Sequence, residues 1–118
     1  MRVAVVLDCL DPVSMAKFWS QALGYEPSSV DEPYLALMPP EPGQPELLLQ
    51  RVLEPKTGKN RMHIDVRVEN LDAERERLLE LGATRVSEEI VEDGWRWYVM
   101  ADPEGNEFCV LKEPELVR

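Results

Sequence analysis

The sequence predicts an α+β fold made of two βαβββ modules. First, the β-rich segments at residues 3–11 and 62–70 resemble each other in order and end in Asp11 and Asn70, which lie 59 positions apart, half of the 118-residue chain. Second, each segment is followed by apolar residues at helical spacing. Third, short β-like runs separated by turns follow each helix. One strand–helix–strand–strand–strand pattern, present twice, accounts for all three observations.

Module one spans about residues 1–53 and begins with a strand of alternating character. A helix is predicted over Pro12–Leu23, because Phe18 and Trp19 fall on an apolar face and proline suits the first helical turn. Gly24 is the expected left-handed stop. The later strands of this module are placed at Tyr34–Met38, at Glu46–Val52 and, more weakly, before Asp31.

A linker at about residues 54–60 precedes module two, which spans about 61–118. Its helix is predicted over Asp72–Leu81, where acidic residues in the first turn favour the helix dipole, and it stops at Gly82. The strands of this module are placed at Met62–Val68, Thr84–Val91, Trp95–Ala101 and Glu107–Lys112, with a turn at Asp102–Asn106. A ferredoxin-like sandwich is the alternative fold, and it requires two strands rather than three after each helix.

Two packed modules can cover both faces of their sheets, with the helices outside and a curved, mixed sheet enclosing a trough. Strand alternation places one set of side chains on the helix side: Val3, Val5, Leu7, Cys9, Met62, Ile64, Val66 and Val68. The opposite set carries Asp8, His63, Asp65 and Arg67 on the trough side. Because polar side chains are costly to bury, a sheet face with this many of them indicates a water-filled cavity rather than a dry core.

The charge balance excludes several classes of partner. With 13 Lys and Arg against 23 Asp and Glu, the net charge is -10, so we expect neither a nucleic acid nor an anionic membrane as partner. No apolar run approaches the ~20 residues of a membrane span. The N-terminus indicates a strand rather than a signal peptide, so we expect a cytoplasmic protein in which Cys9 and Cys109 are reduced.

Several of these motifs resemble those of a known superfamily. The βαβββ doublet, the Phe18–Gly24 signature and the Asp102–Asn106 turn are similar to those of the vicinal oxygen chelate superfamily, the group of glyoxalase I, bleomycin resistance proteins and extradiol dioxygenases. The stretches Gln50–Val52 and Lys59–Asp65 resemble its small glyoxalase-like branch. The resemblance covers nearly the whole chain, but one fold hosts many chemistries.

The resemblance also implies where a divalent metal would bind. Enzymes of this superfamily take one ligand from the first and one from the last strand of each module. By position these ligands fall on Ala4 and His63, and on Gln50 and Cys109, each pair 59 residues apart. Alanine offers no ligand atom and an amide replaces a carboxylate, so the set is poor for a hard cation. His63 and Gln50 remain the candidate metal ligands.

The candidate ligand-binding residues are therefore His63, Gln50, Asp65, Arg67, Cys109, Asp8 and Trp97. His63, the only histidine, is a metal ligand, an acid–base group or a hydrogen-bonded cavity residue. Asp65 and Arg67 either grip a polar substrate group or pair with each other. Cys109 is a ligand, a reactive thiol or a packed strand residue, and Trp97 is a pocket wall or part of the core.

Three functions follow as hypotheses. The leading one is a glyoxalase-like protein that binds a small organic molecule in the trough and requires no cofactor. The second is a divalent-metal-dependent lyase, isomerase or dioxygenase that uses His63 and Gln50. The third is an interaction module with an occluded trough. The resemblance also implies a homodimer.

Overall fold

Each β-rich repeat of the sequence belongs to its own sheet, and each sheet has one helix. The structure, a computed structural model, describes residues 2–115 and divides into unit 1 at residues 1–57 and unit 2 at residues 58–118. The boundary falls inside the predicted linker. The two βαβββ patterns and the mixed α+β class are confirmed, and three or more strands follow each helix, which excludes the ferredoxin-like alternative.

Unit 1 is a four-stranded sheet with one helix against it. Its elements are β1 (Ala4–Cys9), α1 (Pro12–Leu23), β2 (Glu26–Asp31), β3 (Tyr34–Met38) and β4 (Glu46–Arg51). The strand order is β1-β4-β3-β2, where β1 and β4 run parallel and the other neighbours antiparallel.

Helix α1 begins and ends as its sequence predicts. The Asp11 side chain accepts a hydrogen bond from the Ser14 N–H, and Gly24 takes the left-handed conformation with φ 72°. The helix packs against β3 and β4. The rings of Phe18 and Trp19 meet edge to face at 5.1 Å in this core, so both fill the interior as predicted.

Unit 2 repeats the arrangement with a more divided sheet. Its elements are β5 (Asp65–Arg67), α2 (Leu71–Leu81), β6 (Thr84–Arg85), β7 (Ile90–Glu92), β8 (Trp95–Ala101) and β9 (Glu107–Lys112). The order is β5-β9-β8-β6, and β7 also pairs with β8. Helix α2 packs against β9, β8 and β6, and Asn70 caps it by accepting a hydrogen bond from the Ala73 N–H.

Two expectations about the strands are wrong in detail. The strand predicted over Met62–Val68 is limited to Asp65–Arg67, and the strand predicted over Thr84–Val91 splits into β6 and β7. The split follows from a local irregularity, because the N–H groups of Val86 and Ser87 both donate to the Val99 carbonyl.

The expected burial of Met62 and Val3 is also wrong. Their side chains are 85% and 70% exposed. Both residues precede the paired part of their strand, where alternation still fixes the direction of a side chain but supplies no neighbour to cover it. Within β1 the alternation holds, since Cys9 is buried whereas Ala4, Val6 and Asp8 are exposed.

Among the described residues, no helix is both long and apolar enough to cross a membrane.

Candidate functional site

The site is built on the open face of unit 2, by which we mean the sheet face turned away from α2. The opposite face is identified by Tyr98, whose hydroxyl accepts a hydrogen bond from Arg75 of α2 at 2.7 Å. Strand register then assigns the open face. Asp65 lies opposite Cys109, and Cys109 lies opposite Val99, so their side chains form one row across the sheet.

His63, Asp65 and Cys109 come together on this open face. Their potential ligand atoms all lie within 4.8 Å of one another. The His63 Nε2 atom is 3.1 Å from Asp65 Oδ1, and the two side chains are 50% and 45% exposed. The cluster therefore combines an imidazole, a carboxylate and a thiol, of which the first two are open to solvent.

Cys109 is the buried member of the cluster. Its side chain donates a hydrogen bond to Asp65, and the residue is only 9% exposed. Burial, followed by the nearby charges of Asp65 and Glu107, raises the pKa of the Cys109 thiol to about 11. At neutral pH the group is a thiol, which is a poor nucleophile, so the structure favours a packed and hydrogen-bonded cysteine over a reactive one.

Arg67 occupies the next row of the same face. Its guanidinium lies 5.2 Å from the centre of the Trp95 ring and 3.1 Å from a Glu113 carboxylate oxygen. Asp65 pairs with His63 instead, so the two candidates do not pair with each other. Leu111 lies opposite both Arg67 and Trp97, which places half-buried Trp97 in the Arg67 row. The row next to the His63–Asp65–Cys109 cluster thus carries a cation and an indole ring, and the cation also contacts the Trp95 ring.

Two further candidates, Asp8 and Gln50, lie in unit 1. They are opposite each other on β1 and β4, and Tyr34 of β3 lies opposite Gln50. The three side chains form a polar row on the face of that sheet turned away from α1. Sequence reasoning missed Tyr34, although its position at the start of a predicted strand was a usable signal, because cross-strand partners depend on a register that alternation does not give.

The two ligand pairs are spaced differently in the two sheets. In unit 1, Ala4 lies opposite Glu46, four residues before Gln50. In unit 2 the β5–β9 register, continued back to His63, places it opposite Glu107, two residues before Cys109. An equal spacing of 59 in sequence therefore yields neighbouring rows in unit 2 and rows twice as far apart in unit 1.

The cluster of unit 2 fits a zinc-type cation better than a hard one. Nitrogen, oxygen and sulfur donors are typical zinc ligands, whereas magnesium and calcium prefer oxygen alone. Tetrahedral ligands with bonds of about 2.0–2.3 Å lie roughly 3.3–3.8 Å apart, and the donor atoms here need only small shifts to reach that spacing. Binding would require loss of the Cys109 proton. Gln50 belongs to unit 1, and its role as a ligand stays a prediction.

Comparison with known proteins gives a consistent result. The family model described as "Glyoxalase-like domain" matches residues 4–111. A glyoxalase/bleomycin resistance protein/dioxygenase family enzyme from Burkholderia phytofirmans is similar in fold, with a TM-score of 0.77, 18% identity, and coverage of 92% of this chain and 95% of that chain. A glyoxalase/bleomycin resistance protein from Albidiferax ferrireducens is also similar, with a TM-score of 0.71, 20% identity, and coverage of 94% of this chain and 97% of that chain. The structure of UcmS2 has a TM-score of 0.69 and 26% identity, with coverage of 94% of this chain and 98% of that chain. No curated protein matches the chain significantly.

Proposed function

The chain belongs to the glyoxalase-like domain family, within the vicinal oxygen chelate superfamily, and on this premise we propose that it binds a small oxygen-bearing organic molecule on the open face of unit 2. The observation that carries the proposal is the cluster of His63, Asp65 and Cys109 on a partly exposed sheet face. Polar groups gathered on such a face have little value for folding alone.

The residues around the cluster define the ligand chemistry. The Arg67 guanidinium is 60% exposed on its side chain and offers paired donors to a carboxylate or carbonyl oxygen. The imidazole of His63 can donate to or accept from a hydroxyl, and Asp65 can accept from one. Trp95 and Trp97 supply apolar surface beside these groups. A small hydroxy or keto acid matches this combination of donors and acceptors.

The test is a binding screen with variants of unit 2. Small hydroxy and keto acids and neutral analogues are titrated into isotope-labelled protein and followed by NMR. We expect saturable shifts with the acids, weakened in both His63→Ala and Arg67→Ala. The matched control is Glu80→Ala, which removes an exposed carboxylate from α2 on the opposite face. Absence of saturable binding, or equal binding by all variants, would refute the proposal.

The donor set favours a divalent-metal enzyme as the second candidate function. His63, Asp65 and Cys109 would hold the cation, which would supply Lewis-acid polarisation of a substrate oxygen. Arg67 would orient the acidic end of the substrate from the next row. Elemental analysis after equilibration with zinc tests this candidate. The metal-enzyme candidate requires stoichiometric zinc in the wild type and in Glu80→Ala, and a loss of zinc in both His63→Ala and Cys109→Ser.

A further inference from the structure

Unit 1 contains a cavity that neither the sequence motifs nor the proposed function uses. The cavity encloses about 680 Å³ and lies where a proline-rich loop, residues 39–45, faces the beginnings of β1 and β4. Its volume is within the range of about 300–1,000 Å³ that is typical of small-molecule sites. The residues that line it are Arg2, Val3, Ala4, Met38, Pro39, Pro40, Glu41, Pro42, Gly43, Gln44, Pro45 and Glu46.

The loop wall offers many hydrogen-bond acceptors and few donors. Four of its seven residues are proline, which has a backbone carbonyl but no N–H group. A ligand group that accepts hydrogen bonds finds few partners along this wall. A group that donates them, such as an ammonium or an amide N–H, finds carbonyl oxygens.

The charged side chains of the cavity add to this preference. Glu41 and Glu46 are carboxylates, and Arg2 is the single cation of the lining. Within residues 2–115, neither glutamate side chain takes part in a hydrogen bond or an ion pair, so both carboxylates are available to a ligand cation. The methionine, valine and proline side chains supply apolar surface for the rest of the ligand.

The cavity is also held in shape without a ligand. Proline fixes its own φ, so the loop loses little further freedom when a ligand binds. The Tyr25 hydroxyl, two residues after the end of α1, donates a hydrogen bond of 2.8 Å to the Pro45 carbonyl. This bond ties the end of the loop to the helix. Prior ordering of this kind favours binding.

We propose that this cavity binds a small apolar amine, with its ammonium group held by Glu41 and Glu46 and its apolar part against Met38 and the proline rings. The proposal is independent of His63 and of the open face of unit 2. It adds a second ligand class, cationic rather than acidic, to the chemistry of the chain.

The test compares three probes of one size: 4-phenylbutylammonium, 4-phenylbutanol and 4-phenylbutanoate. Calorimetry measures their affinity, and NMR shifts of residues 2–4 and 38–46 locate the binding. We expect the ammonium to bind most tightly. The double variant Glu41→Gln, Glu46→Gln is expected to weaken it about fivefold, which corresponds to about 1 kcal/mol for the loss of two partly exposed ion pairs. Arg2→Gln is expected to strengthen it.

Two controls separate this proposal from general effects and from the proposed function. Glu54→Gln removes an exposed carboxylate of unit 1 outside the cavity lining, and His63→Ala removes the centre of the unit 2 site. Both are expected to bind the ammonium as the wild type does. The proposal is overturned if the ammonium binds no more tightly than the alcohol, if the double glutamine variant binds it unchanged, or if the shifts fall outside residues 2–4 and 38–46.

Discussion

Cys109 shows how the surroundings of one residue decide its chemistry. The side chain faces the same way as Asp65, a position that in sequence is compatible with either a ligand or a nucleophile. In the fold it is nearly buried and lies next to carboxylates, and both effects disfavour the thiolate. The residue is therefore an inert thiol unless a cation replaces its proton.

This account predicts a high titration midpoint for Cys109. Thiolate absorbance of chelator-treated protein, taken as the difference between wild type and Cys109→Ala, should rise with a midpoint near the pKa of about 11. Asp65→Asn removes a negative charge beside the thiol, so it should lower the midpoint. A midpoint at or below the ordinary value of 9.0 would contradict the account.

The same pKa sets the alkaline stability of the fold. The unfolded thiol releases its proton near 9.0, whereas the folded thiol keeps it to about 11. The contribution of Cys109 to the free energy of unfolding should therefore be constant below pH 9 and fall between pH 9 and 11, as the unfolded state alone loses the proton. Cys109→Ala should show a smaller fall over this interval in chemical denaturation.

Asp11 gives the opposite dependence at acid pH. Hydrogen bonds from the side chain and the backbone N–H of Ser14 lower the pKa of Asp11 below 3.8. The stability from this cap is present above pH 3.8 and lost as the pH falls through the folded value. Asp11→Asn keeps an acceptor that does not titrate, so the stability difference between wild type and variant should change only in this acid range. A difference independent of pH would exclude this role.

At the scale of elements, the Asp102–Asn106 turn is held by a buried carboxylate. Asp102 is 2% exposed and accepts hydrogen bonds from the N–H groups of Glu104 and Asn106 and from the Asn106 side chain. The sequence motif predicts the turn, and the structure adds that this carboxylate holds it together with two backbone bonds, from the Asp102 N–H to the Asn106 carbonyl and from the Gly105 N–H to the Asp102 carbonyl. The turn joins β8 to β9 and so fixes the register that places Cys109 opposite Val99.

Asp102→Ala should destabilise the fold by about 2–3 kcal/mol, because it leaves buried donors without a partner. Asp102→Asn retains one acceptor oxygen and should lose less. Urea denaturation followed by circular dichroism measures both. Equal stability of the alanine variant and the wild type would show that water replaces the carboxylate without cost.

The elements also show what sequence can and cannot predict. The ends of both helices could be predicted from the sequence, because the residues that cap them act on the nearby backbone: Asp11, Asn70, Gly24 and Gly82. The face that carries His63 and Asp65 followed from alternation. The break between β6 and β7 and the different spacing of the two ligand pairs depend on register between distant strands, which no local pattern encodes.

For the whole molecule, net charge is the dominant electrostatic feature. With 23 acidic against 13 basic residues, like charges repel across the surface of the folded chain. The described ion pairs involve partly exposed side chains, and such pairs contribute little. The melting temperature should therefore rise from about 0.01 to 0.15 M sodium chloride, where the Debye length shortens from about 30 to 8 Å. A fall over this range would mean that the ion pairs outweigh the repulsion.

Residue-resolved NMR titration of the full chain with a small keto acid is the most direct test that the open face of unit 2 is the ligand site. We expect saturable shifts centred on His63, Asp65, Arg67 and Trp95, which weaken in His63→Ala and persist in Glu80→Ala. Saturable shifts confined to other parts of the chain, or no shifts at any concentration of the acid, would contradict the assignment of the open face of unit 2 as the ligand site.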